Sequence, residues 1–419
     1  MLDLTTRRCF PVFCLLLCVQ QAVAADGDKP SYSISGFGTV GAVYNSNQHA
    51  DFVRDLLQSE GVGHTRKLDL GVDSLLGLQV TGASRDNLDA TLQVVSRRAQ
   101  TGFDPQITWA FARYSPNDNL QFRAGRLGFD VYLLADSRNV AYSYLWVRPP
   151  VDYFGSIIVS YIDGADVVIK YPLGSGIARM KAYAGKAREK SSTGVPDGYF
   201  SLNGSDVAGG HLEYQTTSWA YRLGYSQLRF KNEFPGLSEL IDGLRSPVIA
   251  TLSPMAKTVA DSVGFQDKTI GYLSAGIAYD EGPLQAQLML SRTKAGILGF
   301  PGFAAGYVTV GYRTGRWTPF ATYSAVRPLH RTNDGNTGLP SGVNPFVDAL
   351  IAGSYNVAHS TLNEQATMSF GMRYSLSDKA DLKLQLDHID NTQGLLIRKQ
   401  QPGWNGKANL LSISVNFIF

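Results

Sequence analysis

After Cys18 the chain contains no cysteine. Whatever folds beyond that point does so without disulfides, which suits passage through an oxidising compartment. Later in the chain there is also no apolar run long enough for a spanning helix, which needs about 20 residues. The six histidines, at 49, 64, 211, 330, 359 and 388, are scattered without an H-x-x-x-H pair or a cysteine partner, so no metal site is expected. A calcium site around Asp334 lacks a motif with ligand spacing. No G-x-S-x-G nucleophile signature stands out, and Gly36-Phe37-Gly38 sits in an alternating segment with no helix after it, so neither an enzyme nor a cofactor site is expected. The formal charge is only +3, or about +2 once Asp3, Arg7 and Arg8 are removed, too little to argue for nucleic acid.

The amino terminus carries what the rest lacks. Arg7 and Arg8 precede an apolar run from Cys9 to Val19, and Ala22-Val23-Ala24 offers a small-residue cleavage site. Residues 1–24 are therefore expected to be a signal peptide cut after Ala24, with the mature chain covering 25–419. A lipoprotein signal at Leu15-Leu16-Leu17-Cys18 is the competitor, but it lacks the small residue before the cysteine.

Aromatics are abundant, with 21 Tyr and 20 Phe, beside 43 Gly. The hydrophobic fraction of 44% with mean hydropathy near zero is that of a soluble protein, and equally that of a lipid-facing barrel whose strands are half polar. The last ten residues separate the two. Leu411, Ile413, Val415, Phe417 and Phe419 share one face at period two, and Ser412, Ser414 and Asn416 share the other. In water such a charge-free strand is an aggregation hazard; in a bilayer it has one face for lipid and one for a wet interior.

Period-two segments number about sixteen, with little that is helical between them. They run from Tyr32 to Tyr44, then in pairs at 66–82 with 87–98, 105–115 with 119–127, 161–172 with 176–187, 206–216 with 218–230, 268–280 with 282–294, 304–314 with 316–327 and 363–376 with 379–391, and close from Lys407. Short links alternate with long ones near 45–65, 128–160, 188–205, 231–267, 328–362 and 392–406, and with two shorter members near 99–104 and 295–303. The expected fold is all-β, a transmembrane antiparallel barrel of about 16 strands with tight turns at one end and long loops at the other. A count of this size leaves an aqueous channel rather than a packed interior. The segment Ile107–Tyr114 resists assignment, because Arg113 shares parity with Trp109 and Phe111. Helical spacing occurs in three long loops, at Phe52, Val53, Leu56 and Leu57, at Leu237, Leu240, Ile241 and Leu244, and at Phe346, Leu350 and Ile351.

Strand count, loop rhythm, signal peptide and the terminal Phe419 together resemble the trimeric sixteen-stranded porins of Gram-negative outer membranes, over the whole mature chain. The resemblance implies a multi-pass protein of the cell outer membrane, inserted by periplasmic chaperones and the barrel assembly machinery with Phe419 as part of the signal. Its implied partners are membrane lipid, lipopolysaccharide and two further copies of itself. It also implies that the third long loop, about 128–160, folds into the barrel. The Pro-Glu-Phe-Gly-Gly motif of many general porins is absent; the region reads R-A-G-R-L-G-F-D at Arg123–Asp130 and W-V-R-P-P-V-D-Y at Trp146–Tyr153.

Charge then nominates the candidates. In and beside the loop these are Arg123, Arg126, Asp130, Asp136, Arg138, Arg148 and Asp152, and Pro149-Pro150 stiffens the backbone between them. Parity places Asp89, Lys170, Arg222, Arg313, Arg373 and Lys383 on the inner wall. Loop acids facing wall arginines would set a transverse field that orients polar solutes. The function expected is a passive diffusion channel for small hydrophilic solutes or ions. The alternatives are a channel preferring one small organic solute, and a receptor or adhesin on a closed barrel.

Overall fold

The computed structural model describes residues 31–419 apart from 85–86, 101, 134, 194–197, 299, 301, 331–334 and 361. The expected signal peptide, its Ala24 cleavage site and Asp334 lie outside the described residues. Sixteen strands form one closed antiparallel barrel: β1 (Ser31–Asn45), β2 (Leu75–Ala83), β3 (Leu88–Arg97), β4 (Pro105–Asn117), β5 (Leu120–Gly128), β6 (Tyr161–Leu173), β7 (Gly176–Lys186), β8 (Asp206–Gln215), β9 (Trp219–Arg229), β10 (Thr269–Glu281), β11 (Leu284–Ala295), β12 (Phe303–Tyr312), β13 (Trp317–Pro328), β14 (Glu364–Ser377), β15 (Ala380–Gln393) and β16 (Lys407–Ile418). Each strand pairs with its sequence neighbour, and β1 pairs with β16 to leave no open edge.

The pleat explains the wall. In β9 Ala220, Arg222, Gly224, Ser226 and Leu228 are buried, while Trp219, Tyr221, Leu223 and Tyr225 are exposed. In β15 Asp381 and Lys383 are fully buried, yet Leu384 and Leu386 are 46% and 49% exposed. That is the inverse of a soluble sheet, and it gives an apolar outside around a polar inside. Closure is completed by close backbone approach. Gly36 and Phe419 exchange both backbone hydrogen bonds, at 2.9 and 3.0 Å, and a Cβ on Gly36 would lie 2.2 Å from the Phe419 ring.

Two local departures have physical causes. The expected strand at 66–82 is interrupted, because Asp69 Oδ1 accepts from the amides of Gly71 and Val72 and turns the chain; Leu68–Asp69 alone continues the pairing with β1. The ambiguous Ile107–Tyr114 segment contains a β-bulge, with Gln93 opposite Trp109 but Val94 opposite Ile107. The extra residue, Thr108, reverses parity, so Ile107 is exposed on the outside while Phe111 is buried within.

The long loops are structured. The fifth long loop carries α1 (Leu237–Arg245), α2 (Pro247–Leu252) and α3 (Pro254–Val263), and the seventh carries α4 (Pro345–Ser360), at two of the three places where helical spacing predicts them. The first loop is not helical. Phe52 and Val53 are buried against Leu396 and Ile397, and Asp51–Phe52 pairs with Ile397–Arg398 of the last loop, so long-range pairing overrides local spacing. Leu56 N donates to Gly155 O and Ser192 N to Leu56 O, which knits the first, third and fourth loops together at the mouth.

Candidate functional site

The third loop leaves the wall at Phe129 and rejoins it at Ser160, and between them it runs inside the barrel. Its first hold is Asp130, fully enclosed, which accepts from Arg222 of β9 at 2.6 Å and Lys181 of β7 at 2.8 Å. Burial opposes ionisation of Asp130, but the Arg222 guanidinium and the Lys181 ammonium outweigh it and hold the carboxyl well below its usual range. Ser274 of β10 adds a hydrogen bond to Val131 O at 2.6 Å.

The loop then descends toward the short-turn end. Tyr142 donates to Asp378 O in the turn between β14 and β15 at 2.8 Å, beneath the Arg373 guanidinium, which Asp381 pairs at 2.9 Å. Among the described residues, Lys383 of β15 has no acid in contact. Its ammonium donates to the carbonyls of Ala141, Tyr144 and Trp146, at 2.6, 2.5 and 2.9 Å, and so clamps the turn by its backbone. Trp146 Nε1 is shared between Thr309 of β12 and Thr322 of β13, each at 3.0 Å.

The return limb is fixed by two buried charges of different kinds. Arg148 is paired with Asp73 at 2.7 Å and Asp387 at 2.6 Å and also donates to Ser412, tying the loop to β15, β16 and the turn that precedes β2. Burial works against its charge, and the two carboxylates outweigh that and raise its pKa. Asp152, in the short helix Val151–Phe154, has neutral partners instead, Ser324 and Gln365. Burial therefore prevails and pushes the Asp152 carboxyl above its ordinary value. At the exit, Glu189 of the fourth loop accepts from the Ser160 amide and hydroxyl.

Between these holds the loop is apolar. Tyr132, Tyr144, Trp146, Tyr153 and Tyr307 pack edge to face or tilted at 5.2 to 6.4 Å. This core continues through Phe129 and Leu133 into α1, α3 and α4, so the loop and the helical cap share one interior. Sequence parity marks residues as inward-facing, but it carries no sign of the partner each will meet.

The expected charges are thus distributed unequally. Arg138 turns back on its own loop, donating to Ala135 O and Phe129 O. Asp136 is half-buried and, among the described residues, makes no ion pair or side-chain hydrogen bond. Arg123 of β5 pairs with Asp166 of β6 at 2.5 Å, over the Phe111 ring. Arg126 is a correction: it stands on the outward face, bonded to Asp163 at 2.7 Å and to Ile107 O, because strand parity holds it there. On the inner wall Asp89 pairs with Arg113 at 2.6 Å, Arg222 with Glu213 at 3.4 Å and Arg313 with Asp280 at 2.5 Å, and Lys170 lies opposite Arg179. Asp166 and Lys181 were missed as candidates, though the same parity rule would have found them; Arg113 was missed because parity does not assign its bulged segment. A cleft of about 20 Å³, room for a single water, remains between Asp136, Arg138 and Asn139 of the loop and Arg97, Gln106 and Trp109 of the wall.

A closed sixteen-stranded barrel with its third loop folded inside is the architecture of Gram-negative outer-membrane porins. The particular resemblances are distant in sequence and complete in extent. The anion-selective porin of Comamonas acidovorans superposes with a TM-score of 0.55 at 12% identity, over 93% of this chain and 100% of that one. The outer membrane channel DcaP of Acinetobacter baumannii gives 0.54 at 14% identity, over 94% and 99%. OmpT, an outer membrane protein of Vibrio cholerae in its trimer form, gives 0.53 at 13% identity, over 94% and 100%. No protein-family model matches the sequence, and no curated protein does. What is shared is the fold.

Proposed function

We propose that this protein is a passive outer-membrane channel for small hydrophilic solutes or ions, narrowed by its third loop. The observation that carries the proposal is the inverted wall: leucines outside, and paired arginines, lysines and carboxylates inside along β3–β9, which the loop holds at its start through Asp130. The short-turn end then faces the periplasm and the long-loop end the exterior. Beyond Asp130 the loop lies against β10–β16, and the path proposed for a solute runs along the wall that bears Arg113 and Arg123, with Asp136 on the facing side of the loop. Asp130, Arg138, Arg148 and Asp152 act here as anchors that give the loop its shape, and Asp136 is the acid left to face the wall cations. Asp89, Arg222, Arg313, Arg373 and Lys383 line or brace the bore. A homotrimer embedded in lipid and lipopolysaccharide fits the apolar outer belt, whose concave stretch of about 730 Å³ is lined by Ile169, Leu212, Leu223 and Leu288. Insertion by the assembly machinery through Phe419 fits the closing strand. No catalytic role is proposed.

A second function is favoured by one observation, the core shared by the third loop and the cap helices. A barrel so filled suits a surface receptor that does not conduct. Planar-bilayer recording on the processed protein separates the two. Steady ohmic steps support the channel, and their absence from folded protein removes it in favour of the receptor. Within the channel, Asp136→Asn is expected to shift the reversal potential in a salt gradient toward anions, since it removes the loop's free negative charge. An unchanged potential would take Asp136 out of the selectivity.

A further inference from the structure

On the inner wall, charge is matched residue by residue. Arg113, Arg123, Lys181, Arg222, Arg313 and Arg373 each have a carboxylate within ion-pair distance, from 2.5 to 2.9 Å at the closest. Lys383, without an acid partner among the described residues, is instead fully engaged by three carbonyls. One place breaks the pattern. Lys170 of β6 and Arg179 of β7 are directly opposite in the strand register, both half-buried and on the inward row, and among the described residues neither makes an ion pair or a side-chain hydrogen bond.

Like charges directly opposite in an antiparallel pair, with Cβ atoms roughly 5 Å apart, destabilise a sheet. Glu213, opposite Arg179 on its other side, is engaged by Arg222 at 3.4 Å, and Asp118 in the turn between β4 and β5 acts on Lys170 only from beyond ion-pair distance. A second observation is independent of the register. Arg179 Nε is shielded from solvent and has no acceptor among the described residues, a donor aimed at nothing the wall provides. Lys170 N bonds to Asn119 O in the turn between β4 and β5, which sets the pair near the short-turn end, below the third loop.

We propose that Lys170 and Arg179 form a binding subsite for a small oxyanion, carboxylate or phosphate, on the periplasmic side of the narrowing. Two converging cations a strand apart present the donors that the two oxygens of such a group accept, and Arg adds its planar fork. The subsite deepens the channel function proposed above and rests on it for its purpose: it holds an anionic solute at the inner vestibule, where weak multi-step binding assists permeation.

The test uses the folded full-length processed barrel in detergent, with inorganic phosphate and succinate as probes in calorimetric titrations. Wild-type protein is expected to bind at least one of them, and the Lys170→Gln/Arg179→Gln double variant to bind at least about tenfold more weakly. Because the variant removes a like-charge contact, its unfolding temperature without anion should equal or exceed that of wild type, and added anion should raise the wild-type value alone. Equal titrations for the two proteins, or no binding to either, overturn the subsite. Bilayer recordings on the same preparations keep the two ideas apart. Binding without conductance steps retains the subsite and removes the channel, and steps without anion binding do the reverse.

Discussion

Asp130 and Asp152 are both buried loop carboxylates, yet their surroundings give them opposite chemistry. Asp130 meets Lys181 and Arg222 and stays ionised; Asp152 meets Ser324 and Gln365 and is pushed toward its neutral form. Replacing each with Asn should therefore have unequal results. Asp130→Asn takes the nearer acid from two buried cations, leaving Arg222 with Glu213 and Lys181 with Asp166, each at 3.4 Å, and is expected to cost about 3 kcal/mol, read as a lower unfolding temperature. Asp152→Asn keeps the shape of the protonated carboxyl and is expected to be neutral or stabilising at pH 7. The pH dependence follows from linkage. A carboxyl whose folded pKa is raised binds its proton more tightly when folded, so its stabilising contribution is complete below the unfolded value and is lost as pH rises through the folded one. The advantage of Asp152→Asn over wild type should thus be present at neutral pH and vanish as pH falls toward 4, and a difference independent of pH would refute this account.

The third loop has only short helical turns of its own, so its course is set by what the wall holds. The Lys383 clamp on three carbonyls is the hold in its middle. Lys383→Met removes every donor those carbonyls have from this side chain while keeping much of its length. Faster hydrogen exchange is expected at the backbone amides of 140–147 with the barrel strands unchanged, and identical exchange would mean that the apolar packing alone fixes the turn. The strands were legible in the sequence because each carries its own two-sided pattern, as in Leu382, Leu384 and Leu386 against Lys383, Gln385 and Asp387. The Thr108 bulge was not legible, since a register shift belongs to a pair of strands and not to either one. The helix expected at Phe52–Leu57 failed for a related reason, the pairing of Asp51–Phe52 with Ile397–Arg398 far along the chain. In the site, parity told which charges point inward, but whether a charge braces a loop or faces open space depends on partners from distant strands. Arg148 and Asp136 are alike in sequence and opposite in fate.

At the scale of the molecule, the barrel is unevenly filled. The third loop, α1, α3 and α4 make one continuous apolar body that meets the wall from Phe111 of β4 round to Phe320 of β13, while most of the ion pairs lie on β3–β9. The two loops that are short, at 98–104 and 296–302, join β3 to β4 and β11 to β12. The first of these adjoins the narrow cleft at Trp109. Hydrophobic contact with the cap therefore steadies the third loop from above, while the ion pairs and the Lys383 clamp hold it from the sides. Replacing residues 237–263 by a short Gly-Ser link takes away one of those supports and opens the mouth without touching a barrel strand. If the mouth limits passage, single-channel conductance should rise several-fold and become noisier as the loop moves. Conductance unchanged at wild-type noise would place the whole resistance at the cleft and leave the cap with no part in permeation.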